Sequence, residues 1–137
     1  MKRDMDLVRK ILFEVEAKKP FEVIHNLSIE GYDKQEIAYH CEMMYQAGLI
    51  KYYHGEGSDN YDGVFFFQVQ DLTWEGHDFL EAVRQDTIWN KTKKTIADKG
   101  IALTVGTVKT VATAFITAAA EGVANSILKN GGQINAD

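Results

Sequence analysis

The sequence predicts an α+β fold: helix, strand, helix, two-stranded hairpin, long helix, then a separate apolar helix at the C-terminus. Three observations carry this. Residues 4–17 and 33–47 show apolar side chains at helical spacing behind residues that cap helices. Two apolar runs, 49–54 and 64–72, flank the polar, glycine-rich "GEGSDNYDG". Between Ile101 and Leu128 only Lys109 and Glu121 are charged.

In the first helix Val8, Ile11, Leu12 and Val15 fall on one face. Asp4 is placed to accept from the free amides of the first turn, and Pro20 ends the helix by disfavouring helical geometry in Lys19. In "PFEVIHNLSIEGY", Phe21, Val23, Leu27 and Ile29 share a parity with His25, which predicts a half-buried strand in which Ile24 breaks the pattern. The second helix is the clearest. Asp33 and Glu36 have capping-box spacing, Ile37, Cys41, Met44 and Tyr45 form the inner stripe, and Gly48 supplies a left-handed stop. Phe65, Phe67 and Val69 alternate with Phe66, Gln68 and Gln70 in the second hairpin strand. Thr73 caps a helix that runs through Trp89 to Lys99, where Gly100 breaks it.

The final segment carries Ile101, Val105, Val108, Ala112, Phe115, Ala119 and Gly122 at alternating steps of four and three, a heptad seam. Self-association or packing within the chain, a partner helix, and a membrane span compete for it. Lys109, the threonines and the shortage of aromatic anchors favour helix packing in water. The expected organisation is 1–99, a winged-helix-like domain; 100–130, a helix for oligomerisation or packing; and 131–137, a loose tail.

With 137 residues, 15 basic and 20 acidic, the net charge is −5. That lowers the expectation of a surface built on phosphate contacts. The single cysteine, Cys41, excludes an internal disulfide, and "MKRDMDLVRK" has no apolar run of a signal peptide, so a cytoplasmic location is expected.

The element order is similar to that of winged-helix proteins, with "AGLI" leading into the wing and "LTWEGHDFL" leaving it. "MKRDMDLVRKIL", "GYDKQEIAYHCEMMYQAGLI" and "LTWEGHDFLEAVRQDTIWNK" resemble more narrowly a small bacterial and prophage family catalogued as a domain of unknown function. The resemblance covers roughly residues 1–95. It implies a winged-helix-like fold and brings no activity with it. Residues 20–32 hardly hold both a strand and the helix that supports a recognition helix, which departs from an ordinary winged helix.

The residues expected to meet DNA or a protein partner are Lys34, Gln35 and Tyr39 on the second helix. With them stand Lys51, His54 and Asn60 around the wing, and Tyr61 and Phe66 for a protein. Winged-helix habit favours DNA, whereas Glu36, Glu42, Glu56, Asp59 and Asp62 repel phosphate. Lys91, Lys93, Lys94 and Lys99 form the best basic stretch, suited to nucleic acid or to a solubilising face, with the second favoured. The expectation is a non-enzymatic, homo-oligomeric regulator, with transcription-type DNA binding first, a protein-interaction module as the alternative and a membrane-associated effector third. His25, His40, His54 and His77 show no metal-ligand spacing, His40 reads as a hydrogen-bonded core residue, and neither a catalytic group nor a cofactor is expected.

Overall fold

The computed structural model describes residues 1–58 and 61–134. The chain forms two compact units, Met1–Glu81 and Ala82–Asp137.

The first unit begins with α1, Met5–Glu16. Asp4 caps it as expected: its Oδ1 accepts from Asp6 N–H at 2.9 Å and Leu7 N–H at 3.2 Å. Leu7, Val8, Ile11, Leu12 and Val15 are buried. Strand β1 is only Val23–His25. Helix α2, Lys34–Gln46, is capped by Asp33 and stopped at Gly48, whose φ is +77°. Residues 26–33, between β1 and α2, contain no helix.

Strands β2 (Ile50–Ser58) and β3 (Tyr61–Leu72) complete an antiparallel sheet in the order β1-β3-β2. The hairpin is longer than the sequence predicts. Much of the polar stretch expected as a wing loop is strand, with a register irregularity between Glu56 and Ser58. Gly57 permits this, because a Cβ there would press on the Gly63 carbonyl at 2.7 Å.

The pairing fixes two sheet faces. Ile24, Val69 and Tyr53 stand side by side across the three strands on the inner face, with Phe67 beside them. His25, Gln68 and His54 form the corresponding outer row. The expected parity of β1 is therefore inverted: Ile24 is buried, Phe21 and His25 are exposed. The odd-numbered pattern ran across two left-handed residues, Phe21 and Asn26, which interrupt the two-residue alternation of a strand. Asn26 closes β1 by taking Phe67 N–H on its Oδ1 at 2.9 Å and giving its own N–H to the Phe67 carbonyl at 2.8 Å.

Helix α3 spans Trp74–Val83. Thr73 Oγ1 donates to the Gly48 carbonyl and accepts from Gly76 N–H at 2.9 Å, while Thr73 N–H reaches the Leu49 carbonyl at 3.1 Å. The long helix expected from Thr73 to Lys99 is two helices. Gln85 is extended, and α4 starts anew at Asp86–Asp98. A straight helix would carry the Phe79–Leu80–Val83 stripe on to Thr87 and Asn90, which are polar and exposed. The break re-phases the chain so that Trp89, Thr92 and Ile96 are buried instead.

In the second unit α4 packs on α5, Val105–Ile134, covering Val108 and Ala112. Residues 131–134 of the expected tail continue the α5 backbone, and 135–137 lie outside the described residues.

Gly76 is held so close to the Leu49 carbonyl that a Cβ would collide with it. Gly76→Ala is expected to destabilise the domain by about 2 kcal/mol or more, read from urea unfolding, because backbone rather than a flexible side chain must yield.

Candidate interaction face

Helix α2 and the wing meet through side chains the sequence offers to a ligand. Gln35 lies in the first turn of α2, opposite β3. Its Oε1 accepts from Val64 N–H at 2.8 Å and its Nε2 donates to the Val64 carbonyl at 2.6 Å. The amide thereby acts as one more rung of the sheet. Lys34 Nζ donates to the Phe65 carbonyl at 2.6 Å. Gly63, with φ +102°, leaves room for Gln35; a Cβ there would strike its amide. The two residues best suited to reading DNA are thus joined to the wing backbone.

The rest of the outward α2 face is aromatic and acidic. Tyr39 is 44% exposed and Tyr45 46% exposed, so Tyr45 does not belong to the inner stripe as expected. Its place inside is taken by Ala38 and His40. Glu42 and Gln46 are exposed beside the tyrosines. A cleft of about 220 Å³ lies between α2 and the wing, lined by Tyr39, Glu42, Tyr53 and Val64 among others. Burial, then Glu42 and Cys41, push the Tyr53 phenol up to about 12.

Beneath this face, His40 is fully buried. Its Nε2 accepts from Asp4 N–H at 2.8 Å, and its Nδ1 lies 2.8 Å from the Glu36 carbonyl. A carbonyl only accepts and an N–H only donates, so the ring is neutral with its proton on Nδ1. His40 therefore ties the start of α1 to the first turns of α2. Its neighbour Cys41 is buried, and that burial pushes its thiol up to about 12.

The remaining expected residues separate. His54 pairs with Glu56 at 3.1 Å on the outer sheet face. Phe66 is half-buried on that same face, stacked on His25 with ring centroids 5.7 Å apart. Lys51 stands at the root of the hairpin, far along β2 from the wing tip, beside Phe21, Asp71 and His77. Tyr61 opens β3 and pairs with Ser58, and Asn60 lies outside the described residues. Among the described residues no group of three or more His, Cys, Asp or Glu is placed to hold a metal.

Of the α5 seam, Val108 and Ala112 are covered by α4, and Val105 and Phe115 are half-buried. Ile101, Ala119 and Gly122 are exposed. Sequence reasoning missed a second stripe, Ile116, Ala120, Val123 and Ile127, at steps of four, three and four, all exposed. Val105–Asn130 is long and apolar enough to cross a membrane by length and composition.

A three-stranded antiparallel sheet in the order β1-β3-β2, with α2 against its wing, defines an α+β, winged-helix-like protein. The chain belongs to the DUF2513 family, described as "Hypothetical protein", whose model matches residues 2–102. It is similar to an uncharacterized protein of Haemophilus influenzae, 32% identical over 120 residues, covering 85% of this chain and 97% of the relative. That share exceeds the span of the family match, so the likeness extends into α5. No solved structure matches.

Gln35→Ala is expected to free the Val64 peptide and cost about 1–2 kcal/mol. Hydrogen exchange would read it as faster exchange at the Val64 amide, with the α1 amides unchanged.

Proposed function

We propose that the chain is a non-enzymatic regulatory protein that binds another protein through the outer face of α2 and the adjoining wing. The observation that carries this reading is the engagement of Lys34 and Gln35 with the backbone of Val64 and Phe65. The surface left on α2 is Tyr39, Glu42, Tyr45 and Gln46. Exposed tyrosines beside a cleft are the composition of a protein interface, and acid on the same face opposes phosphate. The absence of a helix between β1 and α2 points the same way, since helix-turn-helix readers cross the DNA backbone with that helix.

The test is capture by the immobilised full chain from bacterial lysate, beside fluorescence anisotropy with duplex DNA. A partner is expected to remain bound at high salt and to be lost with Tyr39→Asp. DNA binding that falls steeply with salt and is abolished by Lys34→Glu would replace this reading with a transcriptional one.

The regulator is proposed to act as a homo-oligomer in the cytoplasm. What supports pairing is the exposed stripe Ile116–Ala120–Val123–Ile127. Run antiparallel against a second copy, Ile116 meets Ile127 and Ala120 meets Val123, so a large side chain faces a small one in the middle layers. Thr117, Glu121 and Asn125 step by four along a different face, suited to water. Ile116→Glu with Val123→Glu is expected to give monomers by sedimentation velocity. Pelleting of the parent chain with lipid vesicles, lost with the same pair, would assign α5 to a membrane instead.

A further inference from the structure

The link from α1 to β1 is a tight turn, Lys19-Pro20-Phe21-Glu22, closed by Glu22 N–H on the Lys19 carbonyl at 3.1 Å. Proline second and a positive φ third is the type II pattern, and the third position normally belongs to glycine. Here it holds Phe21 at φ +68°. A bulky side chain in the left-handed region is strained. Burial does not compensate, because Phe21 is 77% exposed.

The surrounding chain enforces this conformation. Phe21 N–H donates to Asp71 Oδ1 at 3.1 Å, and the Phe21 carbonyl accepts from Gln70 Nε2 at 2.6 Å. Asp71 is itself left-handed, at φ +48°. The third left-handed residue that is not glycine, Asn26, has a structural reason in closing β1 and belongs to a type that tolerates the region. Phe21 has neither.

The Phe21 ring stands at a cavity of about 250 Å³ whose lining includes Val15 and Leu72, with Glu16, Lys18, Lys51 and His77 around it. The acids are engaged: Asp71 on Phe21 N–H, and Glu16 with a partner of its own. No ion pair joins Lys18 or Lys51 to another described residue. A strained aromatic beside Val15, Pro20 and Leu72, in a recess whose other walls are polar and include two lysines, suits an incoming apolar side chain next to a carboxylate. A nucleic-acid strand fits less well, because Glu16 and Asp71 stand among the lysines and a phosphate run needs a net cationic track.

We propose that the Phe21 turn and its cavity form a second protein-binding site, one that takes a peptide segment presenting an apolar residue beside Asp or Glu. It lies at the root of the hairpin and does not rest on the reading of α2.

The experiment pans a displayed library of short random peptides on the full chain and compares variants by anisotropy and thermal unfolding. Selected peptides are expected to carry an apolar residue beside an acid. They should bind Phe21→Gly and Phe21→Asn about tenfold more weakly or worse, and weaken likewise with Lys51→Glu. Both Phe21 variants should melt at or above the temperature of the parent, since the strain is relieved and no core is lost. The proposal is overturned if both variants melt lower, because the ring is then structural. It is overturned equally if no peptide is selected, or if selected peptides bind the variants as tightly as the parent. Single-stranded oligothymidine binding that Phe21→Gly abolishes would also overturn it, making the ring a base-stacking platform.

Discussion

Two chain segments meet at one small knot, where Gly48 and Leu49 pass Thr73 and Gly76. Thr73 takes part in three hydrogen bonds there, and Gly76 leaves the space that the Leu49 carbonyl occupies. The knot joins the end of α2 to the start of β2, and the end of β3 to the start of α3. It is a short step along the hairpin from the pair Ile50–Leu72, so it sets the register of β2 on β3. In a sheet a slip of one residue turns every side chain to the other face. The burial of Phe67 and Val69, and the exposure of His54, both follow from that register.

From the knot, α2 runs back towards the wing and is fixed at its beginning as well. Asp33 caps it, Gln35 and Lys34 hold β3, and His40 reaches α1 through Asp4 N–H. Both ends of the helix are thereby attached to the hairpin. The attachment has a chemical consequence. A lysine and an amide at the start of a recognition-type helix would ordinarily contact phosphate and base edges. Here they complete hydrogen bonds of the hairpin, and tyrosines and a glutamate make up the exposed remainder of the helix face.

Much of this was legible in the sequence, for identifiable reasons. Asp4, Asp33, Gly48 and Thr73 are residue types with narrow conformational uses, and each sits where those uses predict. The interior role of His40 followed from its position beside Cys41. The phase of β1 was not legible, because a strand of three residues is too short for parity to show and a left-handed phenylalanine carries no sequence signal. The break at Gln85 has neither glycine nor proline; it is imposed by which side chains need burial. The hairpin's length was obscured because Gly55 and Gly57 read as loop residues, when Gly57 serves close approach to the Gly63 carbonyl and Gly55 leaves room for the Tyr53 and Val64 side chains. For the candidate face, the sequence identified Lys34, Gln35 and Tyr39 as neighbours on one helix. It had no means of showing that two of them reach β3.

A small domain with short strands has many ladder ends, and each end leaves peptide groups without a backbone partner. This chain completes them with side chains: Asn26 for Phe67, Gln35 for Val64, Asp71 and Gln70 for Phe21, and, at the start of a helix, His40 for Asp4. Those are the same polar residue types that a search for ligand-binding groups collects first. Their count in such a sequence therefore overstates the polar surface available for recognition. Large aromatics follow the opposite logic, since the fold gains from burying them and gains little from exposing them. Where Phe21, Tyr39 and Tyr45 nevertheless face solvent, packing does not account for their identity, and that is the ground on which recognition of a partner is proposed.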